Sequence, residues 1–264
     1  MDQDATKEFN MTVEIQNDNS ASGQVVTIRY NREEKLNALD SVGIQELTNA
    51  FVSIADNSNV RVVIFTGSGS KSFIGGADVN ELSRLDENTA RNFITSLHEL
   101  FVSIRHSPVP VIARINGYCL GAGMELAAAC DLRIASENAI FGMPEVKVGI
   151  PSVIEAALLP RLVGWGRSNY LVFTGENIDA KIAYEWGFLE SVTCQDQLDI
   201  ETDRFIEAIV KAGPLAVREQ KRLVRQWEVL PLDAAIEAGI DSLAKSYRTE
   251  EPRSSMQSFF DRKK

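Results

Sequence analysis

Apolar residues recur along this chain at two spacings, and the spacing predicts the elements. Ile44, Leu47, Phe51 and Ile54 follow one another at helical intervals behind Asp40, a good helix cap. Phe93, Leu97, Leu100, Phe101 and Ile104 predict a longer helix over residues 89–106, stopped by Pro108 and Pro110. Asp78 could cap a short helix reaching residue 85. Residues 60–65 and 111–115 are unbroken apolar runs rich in β-branched side chains, which predicts strands buried on both faces. Shorter strands are expected at residues 11–16, 24–30, 132–135, 139–141 and 188–192, with a turn at 17–23. The first ten residues are polar and expected to fray. Residues 121–130 are small and apolar and suit a buried helix. After Pro151 the pattern is mostly helical, and from about residue 200 the helices turn amphipathic and charge-rich. The expected organisation is an α/β core over residues 1–200 followed by a helical region over 201–264.

Charge and cysteine usage narrow the function classes. The 264 residues carry 27 basic and 37 acidic side chains, a formal charge of -10. That balance argues against nucleic acid or an anionic membrane surface as partner. No apolar run approaches the roughly 20 residues of a membrane span. The N-terminus lacks the features of a signal or transit peptide. Cys119, Cys130 and Cys194 form no metal or redox spacing, so the expectation is buried, unpaired thiols in a reducing cytoplasm and no metal. The only histidines, His98 and His106, are expected to serve surface or packing roles. Chemistry must then rest on carboxylates, backbone amides or lysines.

Two glycine-bearing segments imitate nucleotide motifs. Residues 66–72 lack the glycine that a phosphate-binding loop places before its lysine, and Ser68 with Lys71 has no companion motif of a penicillin-recognising enzyme. The segment is expected to be a flexible glycine-serine loop. Gly121-Ala122-Gly123 opens a helix after a strand, but Leu126 stands at the third glycine position and Glu125 would repel a pyrophosphate.

The same turns make better sense beside the acids. Phe73-Ile74-Gly75-Gly76-Ala77-Asp78 and the stretch over 116–126 each follow a predicted buried strand and present N–H groups at a helix start. Meeting N–H groups of that kind make an oxyanion hole. Glu125 sits before Leu126-Ala127-Ala128-Ala129, and Glu145 sits in Phe141-Gly142-Met143-Pro144-Glu145-Val146. Carboxyls in such apolar surroundings are rare unless paired or functional, and burial raises their pKa towards neutrality. Two acids beside an oxyanion hole suit proton transfer next to a carbonyl.

With these residues in view, the chain resembles the crotonase, or enoyl-CoA hydratase/isomerase, superfamily. The resemblance runs from Val25 to the C-terminus. It is carried by Arg32-Glu33-Glu34-Lys35-Leu36-Asn37-Ala38-Leu39, the two glycine turns, Ala129-Cys130-Asp131, Phe141-Gly142-Met143-Pro144-Glu145 and Gly149-Ile150-Pro151. It implies a spiral of ββα units with a C-terminal helical region that assembles trimers, often paired into hexamers. It implies that the N–H groups of Ala77 and Ala122 hold a thioester oxygen. Coenzyme A would lie along Lys35, Leu36 and Ala38 and along Lys71, Gly75 and Ala77, with the basic tail Arg262-Lys263-Lys264 near its phosphates. The implied reaction adds water to a trans-2-enoyl-CoA, with Glu125 as base towards the water and Glu145 delivering a proton to C2. The acyl-CoA is the substrate, and no bound cofactor is implied. The chain departs from the pattern where Ser152-Val153-Ile154-Glu155-Ala156-Ala157 replaces a glycine-rich stretch and where Glu33 replaces a proline. Glu155 is expected to face solvent or cap a helix, with the acyl pocket as the other possibility. An enoyl-CoA isomerase and a lyase or hydratase acting on a functionalised acyl-CoA are the alternative enzymes. A non-catalytic oligomer or RNA-binding relative is disfavoured by the two acids and the net charge.

Overall fold

A computed structural model describes residues 12–20 and 23–261. Its strands are β1 (Val13–Ser20), β2 (Gly23–Tyr30), β3 (Val60–Gly67), β4 (Ser72–Ile74), β5 (Val111–Ile115), β6 (Tyr118–Leu120), β7 (Leu132–Ser136), β8 (Ile140–Gly142), β9 (Ile178–Asp179) and β10 (Ser191–Thr193). Its α-helices are α1 (Ser41–Ala55), α2 (Val79–Leu82), α3 (Glu87–Arg105), α4 (Ala122–Ala129), α5 (Leu159–Val163), α6 (Trp165–Thr174), α7 (Ala180–Glu185), α8 (Leu198–Val210), α9 (Pro214–Trp227), α10 (Leu232–Ser246) and α11 (Glu251–Asp261).

The strands sort into a six-stranded sheet, β1-β2-β3-β5-β7-β10, and a four-stranded sheet, β4-β6-β8-β9. The chain alternates between them. It lays β3, β5 and β7 in the large sheet, puts the next strand of each, β4, β6 and β8, in the small sheet, and then enters helix. This is the ββα spiral of the α/β class that the resemblance implies.

Strand β3 shows why the large sheet sits centrally. All eight of its residues are buried. Val63 and Phe65 face the main core with α1 and α3, while Val62 and Ile64 join Ile112, Ile134 and Leu198 under Phe205, Ile206 and Ile209 of α8. The Asp40 side chain caps α1 by accepting from the Gly43 N–H at 2.8 Å. Asp86 and Thr89 close a capping box at the start of α3.

Several expectations need correction. The turn expected over 17–23 is largely strand, because β1 runs on and pairs Ser20 with Gly23. Backbone pairing at this exposed edge tolerates the polar run Gln16-Asn17-Asp18-Asn19. Met11, the N-terminal residues and the tail 262–264 lie outside the described residues. The late strand is β10 rather than 188–192. Phe188 instead packs its ring edge-on to Phe141 at 5.7 Å, and its carbonyl accepts from Arg133 Nε at 2.6 Å. Cys119 and Cys130 are buried, but Cys194 is exposed.

Strands β4 and β6 were hidden in what reads as loop. The glycine turns therefore follow β4 and β6 of the small sheet, not the long buried strands β3 and β5 directly. The Ser68–Lys71 region is tied down rather than left as a free loop. The Ser68 N–H donates to Tyr30 O at 2.8 Å, and Asn116 Nδ2 donates to Gly69 O at 2.6 Å.

The C-terminal helices are attached through charge. Asp131, just before β7, takes the Val111 N–H at 2.7 Å, Arg225 at 2.9 Å and the ammonium of Lys221. Lys221 and Arg225 both lie on α9. Beyond it, α10 turns Leu232, Ile236, Ile240 and Leu243 outward, an apolar stripe at helical spacing. No helix among the described residues is long and apolar enough to cross a membrane.

Candidate active site

Strands β4, β6 and β8 are parallel neighbours, so the segments leaving their C-terminal ends emerge side by side. Ligands in α/β architectures collect at that edge. The first segment carries Gly75 to Asp78, the second Gly121 to Glu125, and the third Met143 to Glu145.

The two N–H groups come from backbone geometry. Leu39 and Ala77 form a parallel bridge, in which the Leu39 N–H donates to Gly76 O at 2.9 Å and the Asp78 N–H donates to Leu39 O at 2.8 Å. That pattern leaves the Ala77 N–H pointing away from the bridge. Ala122 opens α4, whose first internal bond is from the Glu125 N–H to Gly121 O at 3.0 Å. The Ala122 N–H precedes it and is an orphan of the helix terminus. Glycine permits the close packing here: a Cβ on Gly123 would stand 2.2 Å from Ile74 O, backbone against backbone.

Glu125 is 4% exposed. Its Oε1 accepts the Ala156 N–H at 3.0 Å. Burial pushes its pKa up to about 8; the Ala156 N–H opposes this, and the charges of Glu145 and Glu155 add to it. Glu145 stands in the 3-10 turn Pro144–Val148. Its Oε2 accepts the Ser152 hydroxyl at 2.8 Å. Its Oε1 lies so close to Gly121 that a Cβ there would be 2.3 Å away. Gly121 also has φ 50°, a conformation that favours glycine. Glu145 thus packs against the turn that opens α4, the helix that carries Glu125, and the charges of the two acids interact.

The residues expected along the coenzyme divide between surface and support. Lys35, Leu36 and Lys71 are exposed, and Ala38, Gly75 and Ala77 are half-buried. The structure brings the two segments together: the Gly75 N–H donates to Leu36 O at 2.9 Å, and the Ser72 hydroxyl donates to the same oxygen at 2.7 Å.

Asn37 and Arg32 organise this meeting, a role that motif matching alone did not assign. Asn37 is fully buried, with φ 55°. Its amide donates to Ser68 O at 3.0 Å and Ser72 O at 2.8 Å, while its oxygen accepts the Arg32 N–H at 3.0 Å. Arg32 bonds Asp78 at 3.1 Å and the Ala38 carbonyl at 2.6 Å. It therefore joins the segment of Lys35 to the turn that carries Ala77.

Glu155 overturns the expectation of a solvent-facing acid. It is 3% exposed. Both its oxygens lie against His98 Nδ1, at 3.0 and 3.1 Å, and Arg105 Nη1 is 3.9 Å away. Sequence reading missed Ser152, the Ala156 N–H and this cluster, because no spacing links α3 to residues 152–156.

The sequence and the fold have relatives among known proteins. The enoyl-CoA hydratase/isomerase family matches residues 20–264. A short-chain-enoyl-CoA hydratase of Clostridium acetobutylicum is 35% identical over 243 residues, 92% of this chain and 93% of the relative. A crotonyl-CoA hydratase of Syntrophomonas wolfei is 34% identical over 91% of this chain and 93% of its own. The crystal structure of an enoyl-CoA hydratase from Bacillus anthracis superposes with a TM-score of 0.90 at 33% identity, covering 96% of this chain and 97% of that one. By motif, fold and likeness over nearly its whole length, the chain belongs to the enoyl-CoA hydratase/isomerase family of the crotonase superfamily.

Proposed function

We propose that the protein reversibly adds water to a trans-2-enoyl-CoA thioester. The observation that carries this reading is Glu125, a buried carboxyl held by a backbone N–H, on the helix whose N-cap residue Gly121 lies against the Glu145 carboxylate. The Ala77 and Ala122 N–H groups take the thioester oxygen as negative charge develops on it. Glu125 draws a proton from the water that attacks C3, and Glu145 gives a proton to C2. Dehydration reverses both transfers. These steps use side chains and backbone alone, with the coenzyme A thioester as substrate. Lys35, Leu36, Ala38, Lys71, Gly75 and Ala77 are the proposed contacts of the coenzyme. The unpaired cysteines fit the reducing cytoplasm.

A crotonyl-CoA absorbance assay run in both directions across pH tests the reading. Hydration needs Glu125 ionised. Its pKa lies near 8, so kcat/KM for hydration should rise with pH towards that value. Dehydration starts from the same pair carrying one proton, now on Glu125, and because the reaction takes up no net proton its kcat/KM should follow the same profile and keep a pH-independent ratio to that of hydration. No turnover of any acyl-CoA in a panel of short, long, aromatic and carboxylated thioesters would refute it.

We further propose that residues 201–264 assemble the protein as a trimer or a pair of trimers. The outward stripe of Leu232, Ile236, Ile240 and Leu243 supports this, because subunit contact would cover it. Light scattering at micromolar concentration should give three or six times the chain mass, 29.2 kDa. A monodisperse monomer would contradict it.

A further inference from the structure

The side chain of Glu155 enters no step above, yet it is among the most buried acids of the molecule. It belongs to the 3-10 turn Ile154–Leu158. The preceding Ile154 has φ 39°, an unusual conformation for a β-branched residue. Such a backbone persists only where its surroundings hold it. The next residue, Ala156, has an N–H shared between Val153 O at 2.9 Å and Glu125 Oε1 at 3.0 Å. One bent turn therefore has Glu155 gripped on one side and the Glu125 contact on the other.

The grip extends far beyond the turn. His98 and Arg105 of α3 face Glu155. Arg105 also bonds Glu228 at 2.7 Å, and Glu228 bonds Arg225 at 2.7 Å. Arg225 in turn joins Asp131, which also holds Lys221. Charges alternate from residue 155 to α9, so the turn is braced against two rigid helices.

We propose that Glu155 is a positioning residue for Glu125: clamped by His98 and Arg105, it holds the Val153 to Ala156 turn so that the Ala156 N–H meets the Glu125 carboxylate. The proposal rests on the reading of Glu125 as the base. It has two separable consequences. The clamp fixes where Glu125 points, and misplacement of a catalytic group by about 1 Å can cost up to a hundredfold in rate. The Glu155 charge also acts on Glu125, together with that of Glu145 from the neighbouring turn, while His98 and Arg105 of α3 face Glu155 itself. A nearby like charge favours the protonated form of Glu125, so removing it lowers the pH at which Glu125 ionises.

Glu155→Ala removes the clamp and should lower plateau kcat for crotonyl-CoA hydration by about tenfold, with KM changed less than about twofold. Glu155→Gln keeps a side chain of the same length against His98 and should restore most of that kcat. In the Gln variant the rising limb of the hydration pH profile should move to lower pH by about half a unit to one unit. Circular dichroism establishes that each variant is folded. If the Ala variant does not fold, His98→Ala, at a half-exposed position, should show the same loss of kcat in smaller measure. Variants that change only melting temperature or KM, or a Gln variant whose limb stays at the wild-type pH, would overturn the proposal. Full hydration by Glu125→Gln would instead overturn the assignment of Glu125, whatever the Glu155 variants do.

Discussion

Replacing Glu125 by Gln should slow hydration of crotonyl-CoA by at least about a hundredfold, the low end for a lost acid–base group. Glutamine keeps the volume and the oxygen that accepts the Ala156 N–H, so the turn at Gly121 and the coenzyme contacts should survive. Coenzyme A affinity, measured by calorimetry, should stay close to wild type. Glu145→Gln should lose activity on the same scale. The same Glu125 substitution should also change stability in a pH-dependent way. The folded pKa of Glu125 is raised from its ordinary 4.5 to about 8. Between those values the folded state binds more protons than the unfolded chain, so this group's stabilising contribution is full below the lower value and is lost as pH rises through the upper one. Across that window the melting temperature of the Gln variant should gain on wild type. A dead variant that is relatively more stable at alkaline pH identifies a carboxyl buried for chemistry. Retained hydration, or loss of coenzyme binding alone, would contradict the assignment.

Asp131→Ala should destabilise the fold by about 3–5 kcal/mol, measured by denaturant unfolding. Asp131 is the shared counter-ion of Lys221 and Arg225, and Lys221 is 6% exposed. Truncation leaves the Lys221 ammonium buried with its partner gone, which costs far more than losing a surface pair. It also strips the acceptor from the Val111 N–H. The damage should spread to α9 first, because that helix carries both cations. A change under about 1 kcal/mol, the scale of an exposed ion pair, would show that α9 is held mainly by packing.

The parts of this fold that sequence reveals are those whose side chains repeat. Helices α1 and α3 announce themselves through apolar spacing, α1 also through its capping acid Asp40, and β3 through an unbroken apolar run. Strands β4, β6 and β8 span three residues each. No periodicity can build over that length, and two of them read as parts of turns. They nevertheless determine where the candidate site lies, because their pairing sets the two glycine turns and the acids side by side. Glu125 and Glu145 stand out in the sequence as candidates because a carboxylate inside Ala-Ala-Ala or beside Met-Pro has no bland explanation. Glu155 does not, since its partners His98 and Arg105 are 57 and 50 residues away in the chain. Only the packing of α3 on the 154–158 turn joins them.

The uneven burial of the three thiols gives the protein a built-in handle. Cys119 and Cys130 are enclosed, and burial holds both thiols in the unreactive protonated form. Cys194 stands exposed just beyond β10, at the edge of the large sheet. Each chain therefore offers one addressable sulfur without mutagenesis. A maleimide fluorophore coupled there marks each chain once, on a different sheet from the one whose turns carry the acids. Mixed donor- and acceptor-labelled preparations would then report by energy transfer whether chains associate as proposed, while the turns of the candidate site keep their native sequence.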